Sequence, residues 1–257
     1  MRMPHNLAWC HEQLLMMHAR ANVGHLGSTL SCLEGIYTTF QHLQPADRFV
    51  LSKGHAAGAL YTVLAANDII PSEWLHTFHQ DGTSLPGHPP ANKIPAIPFA
   101  TGSLGHGLSL AAGFALSQKL RQSSNHTYCL TSDGEWQEGS TWEALIFLSH
   151  HQLTNLTILI DHNGWQGFGS TRDVASMYPL YDKLAPFAVD LHIVDGHDVS
   201  QISHALAQPA KHPKVIVLQT TKGHGLPDLA DTLQSHYLPI SPDQLDGALD
   251  YFHGRSL

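Results

Sequence analysis

Two apolar runs, each ending in a polar turn, constrain this chain more than any other feature. The first, His126 to Leu130, leads into Thr131-Ser132-Asp133-Gly134-Glu135-Trp136-Gln137-Glu138-Gly139. The second, Leu156-Thr157-Ile158-Leu159-Ile160, leads into Asp161-His162-Asn163-Gly164-Trp165. Between them, Ser140 to His151 places Trp142, Leu145, Ile146, Leu148 and Ser149 roughly at helical spacing. Strand, acidic turn, helix, strand and polar turn make one βαβ unit, for which a right-handed crossover is expected. Both turns then fall at the carboxyl ends of parallel strands, where open α/β sheets bind their ligands. Asp133 and Asn163 stand thirty positions apart yet become neighbours in space. Each offers a hard oxygen of the kind that Mg²⁺ and Ca²⁺ take.

The rest of the chain extends this pattern. Leu7 to Ala21 reads as a first helix, broken by Asn22 to Ser28, and Ser31 to His42 as a second, stopped by Pro45. Arg48 to Leu51 is a short strand ending at Ser52-Lys53-Gly54-His55, and Ala56 to Asn67 is helical. Ser72 is expected to cap a helix after Pro71, with Glu73 in its first turn. Asp81 to Pro98, rich in glycine and proline, must be a long irregular loop. Thr101 to Gly107 opens a small-residue helix that runs to about Arg121. Gly164 to Ser170 reads as a glycine-rich loop and His192 to Val194 as a strand, with Asp198 capping a helix over Val199 to Ala207. Lys214 to Thr220 is a strong strand ending at Thr221-Lys222-Gly223, and Pro242 to Phe252 a last helix. The order β-α-β-α implies an α/β fold: a mostly parallel sheet with helices on both faces. No repeat or linker interrupts it, so residues 1–257 are read as a single domain.

Composition excludes several function classes. The net charge is −8, which gives no electrostatic case for nucleic acid or an anionic membrane. Cys10, Cys32 and Cys129 show no pairing pattern, as expected in a reducing compartment. The amino terminus lacks an apolar secretory core, and no run approaches the ~20 apolar residues of a membrane span. A cytoplasmic location is expected. Neither a H-E-x-x-H motif nor Cys/His zinc spacing occurs among the residues, although there are 21 histidines. A phosphate-binding P-loop is absent, and Gly102-Ser103-Leu104-Gly105-His106-Gly107 is not the dinucleotide fingerprint. The loops around His55, Gly102, Asp133, Asn163 and Lys222 should gather at one sheet edge. They suit an anionic, phosphorylated ligand bridged by a divalent metal.

Seven motifs, in order, then carry a specific resemblance. Ser132-Asp133-Gly134-Glu135 followed by Asn163 resembles the thiamine diphosphate signature. Asp47 to Ala57, Gly87-His88-Pro89, Thr101 to Gly105, Gln137-Glu138-Gly139 and Val194 to Asp198 are similar to transketolase segments. The resemblance implies a thiamine diphosphate-binding fold of the diphosphate (PP) type. It further implies Asp133, Asn163 and the Trp165 carbonyl as ligands of Mg²⁺ or Ca²⁺. Gly134, Glu135, Lys222 and Lys53 would lie around the diphosphate. Gly102, Ser103 and Leu104 would meet the cofactor rings.

His25, His55, His88 and His236 match transketolase histidines. His236 stands in Ser235-His236-Tyr237-Leu238-Pro239, which is similar to the family's W-H-G-x-P loop. A ketol transfer needs groups that give and take protons at the ketose hydroxyls, and histidine suits that exchange. By resemblance, His55 and His88 would contact the donor's first hydroxyl and the cofactor. His25 and His236 would serve proton transfer at C3, and Glu138 would couple two active sites across a dimer. Three departures stand out: Ser132 for a glycine, Leu26 for a proline, and Gly58 where a proline is common. The Trp165-Gln166-Gly167-Phe168-Gly169 stretch is also bulkier and more glycine-rich than the family pattern.

A pyrimidine-binding domain, which carries the glutamate that activates the cofactor, has no counterpart in these residues. The expectation is therefore the N-terminal subunit of a split transketolase, paired with a pyrimidine-domain subunit in a heterotetramer. It would act on sugars or sugar phosphates and be inactive alone. Two alternatives stand beside it. One is thiamine-dependent two-carbon transfer to a lipoyl or carrier-protein thiol. The other is a non-catalytic cofactor-binding or regulatory subunit.

Overall fold

A computed structural model describes residues 4–254. Helix α1 (Leu7–Ala21) is followed by a short α2 (Leu26–Leu30), α3 (Leu33–His42), strand β1 (Arg48–Leu51) and α4 (Ala57–Ala66). After a long loop comes α5 (Gly107–Leu120), then the central unit β2 (Thr127–Ser132), α6 (Gly139–His150) and β3 (Leu156–His162). A small hairpin, β4 (Trp165–Gln166) and β5 (Gly169–Ser170), precedes α7 (Thr171–Ala175), α8 (Leu180–Leu184) and β6 (Asp190–Asp195). The chain continues through α9 (Val199–Ala207), β7 (Lys214–Gln219), α10 (Gln234–Tyr237) and α11 (Pro242–His253).

The five long strands form one parallel sheet in the order β1-β2-β3-β7-β6. Their side chains alternate between two apolar layers, as the period of two requires. Phe49, Leu51, Leu130, Leu159, Ile216 and Leu218 face one layer, which holds α1, α3, α4, α9 and α11. Val50, Cys129, Ile158, Ile160, Val215 and Val217 face the other, which holds α5, α6 and α8. Strands covered on both faces read as continuous apolar runs, and this is why β2, β3 and β7 were legible. Crossovers into β2, β3 and β6 all advance along the sheet, and their helices α5, α6 and α8 share a face. The return from β6 to β7 reverses direction, and α9 changes face, as one constant hand demands.

Local chemistry sets the helix starts. The Asn6 side chain accepts from Trp9 N at α1 (3.0 Å). Asp198 accepts from Ser200 N and Gln201 N at α9, and Ser241 and Gln244 form a reciprocal capping box at α11. Four expectations change. Ser72 is the first residue of a 3-10 turn (Ser72–Thr77) rather than its cap, and Pro71 precedes it. The second helix starts at Leu33, because Leu26–Leu30 already forms a separate turn of helix. Gly164 to Ser170 contains a hairpin, and α10 was not anticipated. No helix among the described residues is long and apolar enough to cross a membrane.

Packing of α1 on α4 buries one histidine in an unusual setting. His18 is 1% exposed, and neither ring nitrogen has a partner at hydrogen-bonding geometry. A Cβ at Gly58 would stand 2.7 Å from His18 Nε2, so the ring occupies space that a proline there would fill. Burial pushes its pKa down to about 4, against some help to the charged form from the Val23 and Gly24 backbone. The unfolded chain takes up a proton near pH ~6.5 that the native state refuses, so stability falls as pH drops from there through the folded value. Relative to a His18→Leu variant, the natural chain should lose about 2 kcal/mol more between about pH 7.5 and 5. Urea unfolding at the two pH values checks this, and equal losses would contradict it.

Candidate active site

The register brings the ends of β1, β2, β3 and β7 to one edge. Ser52 N donates to Leu130 O (2.8 Å), Asp133 N to Asp161 O (3.0 Å) and Thr220 N to His162 O (3.3 Å). Asp161, at the end of β3, is fully buried and organises this edge. Its carboxylate accepts from Lys53 Nζ, from Thr220 Oγ1, from Ser31 Oγ (2.6 Å) and from Asn163 Nδ2 (2.9 Å). Burial alone would raise its pKa, but the Lys53 ammonium and the hydroxyl donors hold it below the ordinary value. Lys53 is likewise fully buried and also donates to Ser28 O (3.0 Å). Its ammonium group is thus committed to Asp161 rather than free for an anionic ligand.

Asp133 stands beside this pair as a second buried carboxylate. It accepts from Gly134 N (2.9 Å) and Gly164 N (2.7 Å). Burial and then the Asp161 charge push its pKa up to about 7, so a cation at this corner would be favoured. Asn163 is oriented by Asp161: its Nδ2 must face that carboxylate, which leaves Oδ1 turned the other way, where Trp165 N donates to it (3.0 Å). A carboxylate, an amide oxygen and the backbone of the following turn form a hard-oxygen set, which fits a divalent cation carrying further oxygen ligands.

Glu135 has a different role from Asp133. Its Oε1 accepts from Ser52 Oγ and Gly105 N (3.0 Å), and its Oε2 accepts from Ser132 N (2.9 Å). It clamps the Gly102–Gly107 loop to the ends of β1 and β2. Burial raises its pKa, opposed by these donors. Ser132 tolerates the place of a glycine because it lies in β2, without positive φ. Gly102, at φ +140°, has no such freedom to change, since a Cβ there would stand 2.8 Å from the His88 ring. Ser103 is exposed and Leu104 half-buried on this loop, and Glu138 sits exposed at the start of α6.

The four nominated histidines converge from four separate segments. His25 lies with its ring centroid 5.8 Å from His55, 5.8 Å from His88 and 4.9 Å from His236, and His55 lies 5.6 Å from His236. His25 adopts φ 67°, its N donates to His236 O (2.8 Å), and its carbonyl accepts from Thr29 Oγ1 (2.6 Å). These bonds hold the turn in which Leu26 replaces a proline. His25, His55 and His236 line a cavity of about 290 Å³ with His18, His79 and Tyr237. Burial, then neighbouring cationic groups, lowers all three: His25 to about 4, His236 to about 3, and His55 well below its ordinary value. All three are neutral imidazoles near pH 7. Lys222 Nζ lies 3.2 Å from His236 Nδ1 and donates to Ser28 Oγ (2.9 Å). A lysine ammonium only donates, so His236 accepts at Nδ1 and carries its proton on Nε2. Burial, then Lys53, lowers Lys222 to about 8.

Glu34, His197 and His224 also lie within metal-binding reach of one another. His197 Nε2 accepts from Thr221 N (2.9 Å), so its Nδ1 keeps the proton and faces Glu34 Oε2 (3.3 Å). That tautomer turns an N–H of His197 rather than a lone pair toward Glu34, which does not suit a cation between the two. Sequence reasoning passed over Asp161, Ser28, Ser31, Ser52 and Thr220. Only Asp161 left a signal, an acidic residue closing an apolar strand.

Comparison with known proteins decides the family. Residues 14–250 match the family "Transketolase, thiamine diphosphate binding domain". The chain belongs to this transketolase family. It is 34% identical over 252 residues to an apulose-4-phosphate transketolase subunit of Actinobacillus succinogenes, covering 93% of this chain and 91% of that one. It is also 34% identical over 243 residues to a 6-deoxy-6-sulfo-D-fructose transketolase subunit of Clostridium sp., covering 90% and 88%. The crystal structure of Campylobacter jejuni transketolase superposes with a TM-score of 0.85 at 28% identity. This chain spans 42% of that longer one, with 96% of its own residues matched. The expected fold, a mostly parallel sheet of the thiamine diphosphate-binding kind, is therefore borne out. Within that transketolase fold, Lys53 supports the Asp161 node. A Lys53→Met variant should lose about 3–5 kcal/mol, because Asp161 would stay buried without its counter-charge. Urea unfolding checks this, and a loss below about 1 kcal/mol would refute the role.

Proposed function

We propose that this chain is the N-terminal, diphosphate-binding subunit of a two-component transketolase. It moves a two-carbon ketol unit from a ketose or ketose phosphate to an acceptor. The observation that carries the reading is the cluster of four histidines, gathered around His25, at the same sheet edge as the Asp133–Asn163 corner. The two subunit relatives, nearly equal to this chain in length, support a split enzyme. A pyrimidine-domain chain would then complete the site, with self-association into a heterotetramer in the cytoplasm. Among the described residues, no lysine or arginine lines the histidine cavity. Transfer between sugars accounts for this histidine set better than delivery to a carrier thiol or a scaffold without catalysis.

Thiamine diphosphate, when bound, supplies the nucleophilic carbon and the electron sink that ketol transfer requires. The residues of this chain do the rest. Asp133, Asn163 and the Trp165 carbonyl would hold Mg²⁺ or Ca²⁺, and with it the diphosphate, while Gly134 and Lys222 flank that end. Gly102, Ser103 and Leu104 would border the rings. His236, protonated on Nε2, and His25 serve proton transfer at C3. Neutral His25 accepts the C3 hydroxyl proton as the C2–C3 bond breaks and returns one to the acceptor side. His55 and His88 orient the first hydroxyl, and Glu138, exposed at the start of α6, would couple two active sites across a dimer.

Calorimetry should show Mg²⁺-dependent binding of thiamine diphosphate that Asp133→Ala abolishes, and retained binding would remove the central assignment. Ketol transfer should require the partner chain, and His88→Ala should lower kcat/KM of the pair about 10²–10⁴-fold. Since His25 and His236 sit at about 4 and about 3, they stay neutral down to that range. The kcat/KM profile should therefore show no acid limb from them near pH ~6.5. Such a limb, lost in His25→Gln or His236→Gln, would contradict the assigned protonation states.

A further inference from the structure

The hairpin that follows the metal corner departs from the family pattern, and so does the residue after His236. The structure joins the two departures. Trp165 Nε1 donates to Asp231 Oδ1 (2.7 Å), and the Tyr237 hydroxyl donates to Gly167 O. These bonds tie the β4–β5 hairpin to the segment that carries His236. A Cβ at Gly167 would stand 3.2 Å from the Tyr237 hydroxyl and 3.9 Å from His236 Nε2. Gly167 thus leaves room for the phenol beside the imidazole nitrogen that carries the proton. The Tyr237 ring meets His236 edge-on at 4.7 Å and lines the histidine cavity. Yet Tyr237 is 54% exposed, so it forms the cavity rim rather than its floor. Its backbone is held from behind, because a Cβ at Gly24 would come 2.7 Å from Tyr237 O. With the backbone gripped and the hydroxyl bonded, the ring cannot swing aside without breaking the tie to the hairpin.

We propose that Tyr237 is a specificity-determining residue that is latched to the hairpin at the rim of the histidine cavity and limits the length of the aldose acceptor. The proposal rests on the transketolase reading for its substrates, but the latch itself does not. The test uses two variants and two readouts. Tyr237→Phe keeps the ring and removes the bond to Gly167. Amide hydrogen exchange over residues 165–170 of the full chain should speed up about 2–10-fold, the effect of losing one hydrogen bond. Unchanged exchange overturns the latch. Tyr237→Gly removes the rim. In the reconstituted pair, with D-xylulose 5-phosphate as common donor, kcat/KM is measured for glycolaldehyde, D-glyceraldehyde, D-erythrose and D-ribose. The D-ribose to glycolaldehyde ratio should rise about 10-fold or more in Tyr237→Gly, within the range of a pocket contact. It should stay within about threefold of the natural ratio in Tyr237→Phe. A uniform fall for all four aldoses would mark Tyr237 as merely structural and overturn the proposal. If the natural pair transfers no ketol unit from D-xylulose 5-phosphate or from the apulose 4-phosphate and 6-deoxy-6-sulfo-D-fructose of the relatives' names, the functional reading fails and with it the acceptor claim, whereas the exchange measurement still decides the latch.

Discussion

The Lys53–Asp161 pair is the constraint on which the rest of the site depends. Two opposite charges, both fully buried, come from the ends of β1 and β3. Such a pair costs desolvation, which is recovered only if the remaining lone pairs find donors. Ser31, Thr220 and Asn163 supply them, from the turn before α3, the end of β7 and the turn after β3. One carboxylate thereby ties three strand ends and a helix start into a single arrangement. It also turns the Asn163 oxygen outward and adds negative charge beside Asp133. The same node therefore builds the cation corner and makes that corner electrostatically incomplete on its own.

A second chain of contacts carries this order to the histidines. Ser28 bridges the two halves, accepting from Lys53 through its carbonyl and from Lys222 through its hydroxyl. Lys222 in turn faces His236 Nδ1 and sets the tautomer of that ring. His236 O receives the His25 amide. The order at the buried ion pair thus reaches two of the four imidazoles, His236 through Ser28 and Lys222, and His25 through His236. Glu135 does the corresponding work on the other flank, where it holds the loop leading to α5. Gly102 on that loop lets His88 approach.

Much of the fold was legible because its strands are covered on both faces. Continuous runs such as Leu156–Ile160 and Val215–Leu218 admit few readings besides a central strand. The helix start at Asp198 followed from a side chain that bonds its own backbone, whereas the Asn6 cap of α1 emerged only in the structure. Ser72 misled because a serine after proline looks like a cap, whereas the chain there closes a 3-10 turn from Pro71. The hairpin at Trp165 was missed because glycines dominate it and its pairs are few. Helix α10 spans only Gln234–Tyr237, too short to show periodicity, and is held by contacts with the turn before α2.

The sequence by itself determined the α/β class, the strand ends that carry chemistry and the residue types that match a transketolase. Those features follow from periodicity, turn chemistry and local spacing. Only the tertiary structure decided which of the residues act together. Lys53 reads in sequence as a loop lysine beside His55, but its partner lies 108 positions away on β3. His236 and Lys222 lie close in sequence, yet their bond matters because Ser28 arrives from 194 positions away to complete it. Asp133 and Asp161 end neighbouring strands, so their mutual repulsion appears only once the sheet has formed. Electrostatics acts through space, and folding brings these groups together across distances that sequence spacing does not encode.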